Sequence, residues 1–240
     1  TDMPDAFMGT QNSMYIGGLD KYINDEIIID IMPFLEKYGQ NFLKMAKLTE
    51  DTWKRNITDM GRMPGFYNIS KEIEPTWWGP MVREDWLNDF GLNSPVTYND
   101  WYNMLTLARD EKGATRGYAL SSPDGLDDSL LAGFNLINGF FAKDGEVKFG
   151  PYEPELLDYL TMVNKWYSEG LIDPDFASYA SAYFSETPAR MLNNEMMAFR
   201  SFWTMIDVHG MSSEDPNFQL VAVPAPVKNV GDTRKLTIHS

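Results

Sequence analysis

The chain contains no cysteine among its 240 residues. Disulfides, zinc–thiolate sites and cysteine nucleophiles are thereby excluded. Histidine is nearly absent too: only His209 and His239 occur, and neither has a neighbour at metal-ligand spacing. Basic residues are few, 20 against 35 acidic ones, which leaves a formal charge of −15. Phosphate binding needs clustered Lys and Arg, so nucleic acid is a poor partner for this chain. No apolar run of about 20 residues is present, so no segment reads as a membrane-spanning helix. There is no Gly-x-Ser-x-Gly, no phosphate loop and no dinucleotide fingerprint. Internal repeats and low-complexity segments are missing as well. Carboxylates remain as possible catalysts, since a glycosidase needs only two of them. The repeated strand–helix alternation of a glycosidase barrel is not read here.

What the chain does have is tryptophan, concentrated between residues 74 and 105, where four of the seven stand: Trp77, Trp78, Trp86 and Trp101. Two helices are expected in that stretch. The first carries Glu84, Asp85, Trp86 and Leu87 and stops at Gly91, the residue type that best tolerates left-handed backbone. The second opens at Thr97 with Asp100 three residues on, a capping-box pattern. Its apolar face falls at Trp101, Met104, Leu105 and Ala108, the spacing of a half-buried helix. Trp77 and Trp78 are adjacent, and neighbours on a strand point to opposite faces, so at least one indole faces away from the local core.

Elsewhere, Met3–Thr10 reads as a strand running into a polar turn with Gln11, Asn12 and Ser13. A short helix is expected over Phe42–Leu48, a polar helix around Trp53, and strands over Gly65–Ile69 and Arg116–Leu120. Phe140–Phe149 carries Asp144-Gly145 in its middle, a hairpin signal. Pro154 starts the most regular helix, with an apolar face at Leu156, Leu157, Leu160, Val163, Trp166 and Tyr167, and Gly170 ends it. Ala189–Asn193 looks helical, Met196–Phe199 extended, Trp203 opens a turn or helix, and Phe218–Val223 reads as a strand.

Three segments carry a resemblance. The order Arg83, Asp85-Trp86-Leu87, Gly91-Leu92, Pro95, Thr97 is one. The run Glu169-Gly170-Leu171-Ile172-Asp173-Pro174-Asp175-Phe176 is the most specific, and Asp30–Tyr38 is the third. Together they resemble the extracellular solute-binding proteins of ABC importers, in the carbohydrate-binding branch (family 1) that includes maltose- and alginate-oligosaccharide-binding proteins. The resemblance implies an α/β periplasmic-binding-protein-like fold with two lobes. Residues 1–71 would be part of lobe one, 72–231 lobe two, and 232–240 a return segment. The match covers nearly the whole chain but only the middle of a typical relative, and the chain opens on Thr1, so a fragment with lobe one incomplete is expected. Sheet edges there would lack partners, and Ile27, Ile28 and Ile29 would lie uncovered.

By the same resemblance the function is capture of a carbohydrate, an oligosaccharide, in an interlobe cleft for delivery to ABC permease subunits. No catalysis and no cofactor are implied. The location would be extracellular or periplasmic, the only membrane attachment a lipid anchor outside this sequence, and the protein a monomer. A secreted glycoside-active enzyme and a sensory binding protein for a receptor kinase stand as alternatives. Some relatives bind calcium in a loop matching Asp110–Thr115, but Lys112 and Ala114 stand where oxygen ligands are needed, so no metal is expected.

For the site, Trp203 follows Met196–Phe202 as the relatives' sugar-stacking Trp follows its own segment, and a flat indole suits the apolar C–H face of a sugar. The competing reading is a core Trp. Arg200 suits a hydroxyl pair or carboxylate, or a surface ion pair. Trp77 and Trp78 suit ligand contact or interlobe packing. Gln11, Asn12, Asp127 and Asp128 suit hydroxyl recognition, and polar turns would look the same. Tyr179, Tyr183 and Phe184 fit core or cleft equally.

Overall fold

A computed structural model describes residues 5–6, 15–69, 78–143, 145–178 and 182–234. The chain divides into two compact units, Thr1–Glu74 and Pro75–Ser240.

The described part of the first unit is helical. It holds α1 (Gly18–Asn24), α2 (Met32–Tyr38), α3 (Gln40–Ala46) and α4 (Glu50–Asn56). The helix expected near Phe42 is α3, and Trp53 lies on α4. Thr49 and Thr52 exchange side-chain and backbone bonds to cap α4. Leu35, Ala46 and Met63 form a small core, with Ile31, Phe42, Trp53 and Ile69 against it. Asp20 ties the ends of the unit together, accepting from the Thr58 hydroxyl (2.6 Å) and from Arg62 Nε (2.8 Å). The Thr58 hydrogen bond, with help from Arg62, holds its carboxyl below the usual range.

Residues 65–69 do not form the expected strand. They are irregular, with a bend at Gly65 and no strand assigned. Ile69 packs on the helical core, and the exposed Phe66 meets Phe42 edge-on at 5.0 Å. A strand needs a neighbour for its N–H and C=O groups, and the helices supply none. Of the three isoleucines expected to be uncovered, Ile27 and Ile29 are exposed and Ile28 is half-buried, all on a loop rather than a sheet. Except for Asp5 and Ala6, the expected opening strand and its turn lie outside the described residues.

The second unit is built on an antiparallel sheet of β4–β1–β5. Its central strand β1 (Trp78–Arg83) runs straight into α5 (Glu84–Asp89). The long helix α6 (Tyr98–Lys112) follows, opened by the expected Thr97–Asp100 capping box. Trp101, Met104, Leu105 and Ala108 are all fully buried on it. Beyond lie α7 (Asp128–Leu131), the hairpin of β2 (Phe140–Lys143) and β3 (Glu146–Phe149), and α8 (Glu155–Ser168). The hairpin pairs Lys143 with Glu146, which leaves the two-residue turn read from the sequence. Then come α9 (Tyr183–Leu192), β4 (Ala198–Phe202), α10 (Met205–Ser212) and β5 (Leu220–Ala222). Val82 and Ala198 enter the main core with Trp101 and Leu105, while Met81 and Phe199 enter a second cluster with Tyr183 and Phe218.

Two expectations need correction here. Helix α8 buries Tyr159, Val163 and Trp166, whereas Leu157 is 72% exposed and Leu160 and Tyr167 are also outside. Apolar residues surround most of this helix, and Tyr159 sets its rotation. Its hydroxyl donates to Gly125 O (2.6 Å) and accepts from the Asp127 N–H (3.0 Å), so it can be buried without losing hydrogen bonds. Arg116–Leu120 is not a laddered strand either. Tyr118 makes single parallel bridges, to Ile172 on one side and Ala198 on the other. Gly117 permits this insertion: a Cβ there would stand 2.4 Å from Leu171 O.

Candidate ligand-binding site

Opposed residues on antiparallel strands share a face. The β1–β4 register opposes Trp78 with Phe202 and Pro80 with Arg200, so two aromatic rings and a guanidinium are gathered at one end of the sheet. The Arg200 guanidinium lies 3.4 Å from the centroid of the Trp78 ring. Phe184 of α9 closes the group, 5.1 Å from Phe202 and 6.3 Å from Trp78.

Arg200 is only 6% exposed. Its backbone N–H donates to the Tyr183 hydroxyl (2.7 Å), which donates on to Ala119 O (3.3 Å). Its Nη1 reaches Ser121 Oγ and Asp128 Oδ2, both at 3.4 Å, and its Nε finds no acceptor. The Asp128 side chain opens α7 and remains 31% exposed.

Asp127, one residue earlier, has a different place. It is fully buried, and its carboxylate accepts from Ser129 N, Leu130 N, the Tyr118 hydroxyl, Ser121 N and Ser121 Oγ. That set caps α7 and uses both oxygens, leaving none for a ligand. Burial, with the Asp127 charge beside it, raises the Tyr118 hydroxyl well above its ordinary pKa, so it stays a donor to that carboxylate.

Trp203 stands 59% exposed in the turn between β4 and α10, which removes the core reading. Trp78 is half-buried and packed, a platform under Arg200 rather than a free ring. Tyr183 is core, while Phe184 is exposed. Trp77, Gln11, Asn12 and Tyr179 lie outside the described residues. Structure thus brings Trp78, Arg200 and Asp128 together and turns Asp127 inward. It adds Phe202, which two-residue alternation with Arg200 could have indicated, and Ser121, which carried no sequence signal.

The motif residues that carried the resemblance are structural. Arg83 is fully buried between Trp86 and Phe218, 4.4 Å from each ring, and forks onto Asp85 at 2.8 and 2.6 Å. Asp173 is buried between Arg116 and Arg190. His209 lies beside Phe199, and its burial lowers its pKa; no group of three or more His, Asp or Glu that could hold a metal ion occurs among the described residues.

No family model matches the chain. A lipoprotein of Bacillus subtilis, LipO, is 26% identical over 196 residues, covering 77% of this chain and 37% of its own. The alginate-binding protein AlgQ2, solved without calcium ion, superposes over 90% of this chain and 46% of its own, at 20% identity and a TM-score of 0.69. The FusA substrate-binding protein of a Streptococcus pneumoniae ABC transporter, an EF-hand mutant in complex with fructo-nystose, covers 91% and 46% at 17% identity and 0.67. An HMO-binding, ABC-transporter-associated solute-binding protein of Bifidobacterium longum infantis covers 87% and 46% at 21% and 0.65. The chain spans less than half the length of these relatives. Its fold is that of the extracellular solute-binding proteins of ABC importers.

Proposed function

We propose that this chain is the sugar-contacting part of an extracellular solute-binding protein that delivers an oligosaccharide to ABC permease subunits without altering it. Trp78, Phe184, Phe202, Arg200 and Asp128 then form one wall of the binding site, and Trp203 supplies a stacking surface. The observation that carries this reading is the Arg200 cluster, a buried cation with unused donor capacity, held against aromatic rings at the end of a sheet. Sugars present hydroxyl edges and apolar faces, and such a wall offers partners for both. The sugar-binding relatives support the choice of ligand class. The lipoprotein relative supports an extracellular location with a lipid anchor. No helix among the described residues is long and apolar enough to cross a membrane. The protein acts as a monomer and needs no cofactor.

Calorimetry of the full-length protein against a panel of oligosaccharides tests the proposal. Trp203→Ala should weaken binding of the best ligand by ~1–3 kcal/mol, the range for an aromatic anchor, while leaving the Tm of the unliganded protein unchanged. Every sugar should be recovered intact. Unchanged affinity with a lowered Tm, or turnover that vanishes on changing one carboxylate, would overturn it.

A further inference from the structure

We propose that Arg200 and Asp128 form a hydroxyl clamp that restricts the ligand to neutral sugars carrying adjacent hydroxyls and turns away sugars whose corresponding group is a carboxylate. The inference rests on the sugar-binding reading above and narrows its ligand class.

The chemistry of the two side chains leads there. A guanidinium can only donate, and an ionised carboxylate can only accept. In the cluster neither is well used. Arg200 Nη1 makes contacts at 3.4 Å, the long limit of a hydrogen bond, and its Nε has no acceptor although the side chain is more than nine-tenths buried. Asp128 accepts from nothing nearer than that same Nη1 among the described residues, while part of its carboxylate faces solvent. The group that completes both is one that accepts from Arg200 and donates to Asp128, which is a hydroxyl. Two adjacent hydroxyls can bridge the pair without separating it. A ligand carboxylate can satisfy Arg200 alone and leaves Asp128 without a donor.

Charge points the same way. Asp127 lies one hydroxyl behind the cluster, because Ser121 Oγ donates to Asp127 Oδ2 at 2.6 Å and stands 3.4 Å from Arg200 Nη1. One guanidinium therefore faces two carboxylates, Asp127 and Asp128. An incoming anion would be the third negative charge around a single cation, in a place where burial weakens solvent screening. Trp78 meanwhile covers the guanidinium face, so an approaching group is confined to its edge.

The test compares matched ligands on the full-length protein by calorimetry. A neutral oligosaccharide that binds is set against the oligomer of the same length and linkage whose C6 hydroxymethyl groups are carboxylates. Wild-type protein should bind the uronate about tenfold more weakly or worse, the effect of adding a like charge in a partly screened site. Asp128→Asn removes one negative charge but keeps the Asp127 cap of α7, so the fold is retained. It should weaken the neutral ligand and shrink the penalty on the uronate. Equal or tighter wild-type binding of the uronate overturns the clamp while leaving sugar binding in place, and so does an unchanged ratio in Asp128→Asn. Binding of neither series removes the sugar-binding reading and this inference with it.

Discussion

Arg83 and Arg200 stand on adjacent strands of one sheet, each against an indole, and have opposite roles. Arg83 is consumed: Asp85 takes two of its donors, Asn194 takes another, and Trp86 and Phe218 cover both faces. Arg200 is held by a ring but keeps an unpartnered Nε. The difference is one of partners, and sequence could not reveal it, because Asn194 and Phe218 come from far along the chain. Arg83→Ala should cost about 3–5 kcal/mol, since it strands Asp85 beside two exposed ring faces. Chemical denaturation reads that loss directly, and a change below ~1 kcal/mol would show that the motif arginine is not the joint between β1 and its neighbours. The same logic separates Asp127 from Asp128. Both suit hydroxyls on paper, yet only the side chain that helix α7 does not need for its own cap remains available.

At the scale of elements, the start of α6 and its buried face were legible, but its end was not: Asp110, Glu111 and Lys112, read as loop, form its last turn. Its cap and its buried face are local, so the chain declares them within 11 residues of Thr97. The Thr97 backbone N–H, the main cause, keeps the Asp100 carboxyl below its ordinary range. A depressed carboxyl stabilises above its unfolded pKa of ~4, and that contribution is lost as pH falls through the lower folded value. Thr97→Ala should cost about 1 kcal/mol near neutrality, read from the denaturation midpoint. A cost of zero would mean that burial of Trp101 alone holds the helix start. By contrast, residues 65–69 and 116–120 have strand-like composition, and neither became a laddered strand. Composition can favour extended backbone, but a ladder also requires a partner strand in register. For α8 the ambiguity was rotational: too many apolar positions satisfied the pattern, and the hydroxyl of Tyr159 decided among them.

For the whole molecule, the two units differ in how much they bury. Among the described residues, the first unit buries one small apolar cluster, Leu35, Ala46 and Met63, whereas the second has two clusters spanning sheet, helices and loops. Opening free energy follows buried apolar contact, so the units should not open together. Native-state hydrogen exchange should find the slowest amides in β1, β4 and α6, with residues 15–69 exchanging through cheaper openings. Equal protection in both units would refute this division of stability.

Sequence alone determined whatever depends on near neighbours: the caps, the Asp-Gly hairpin, the buried stripe of α6, the exclusion of thiol chemistry, and the wording that resembles solute-binding proteins. Tertiary structure decided which polar residues are spent on the fold and which are left over. Arg83, Asp127 and Asp173 look as functional in the sequence as Arg200 and Asp128 do. The distinction lies in whether every donor and acceptor has met a partner, and those partners arrive from strands and loops distant in sequence, where no local pattern can count them.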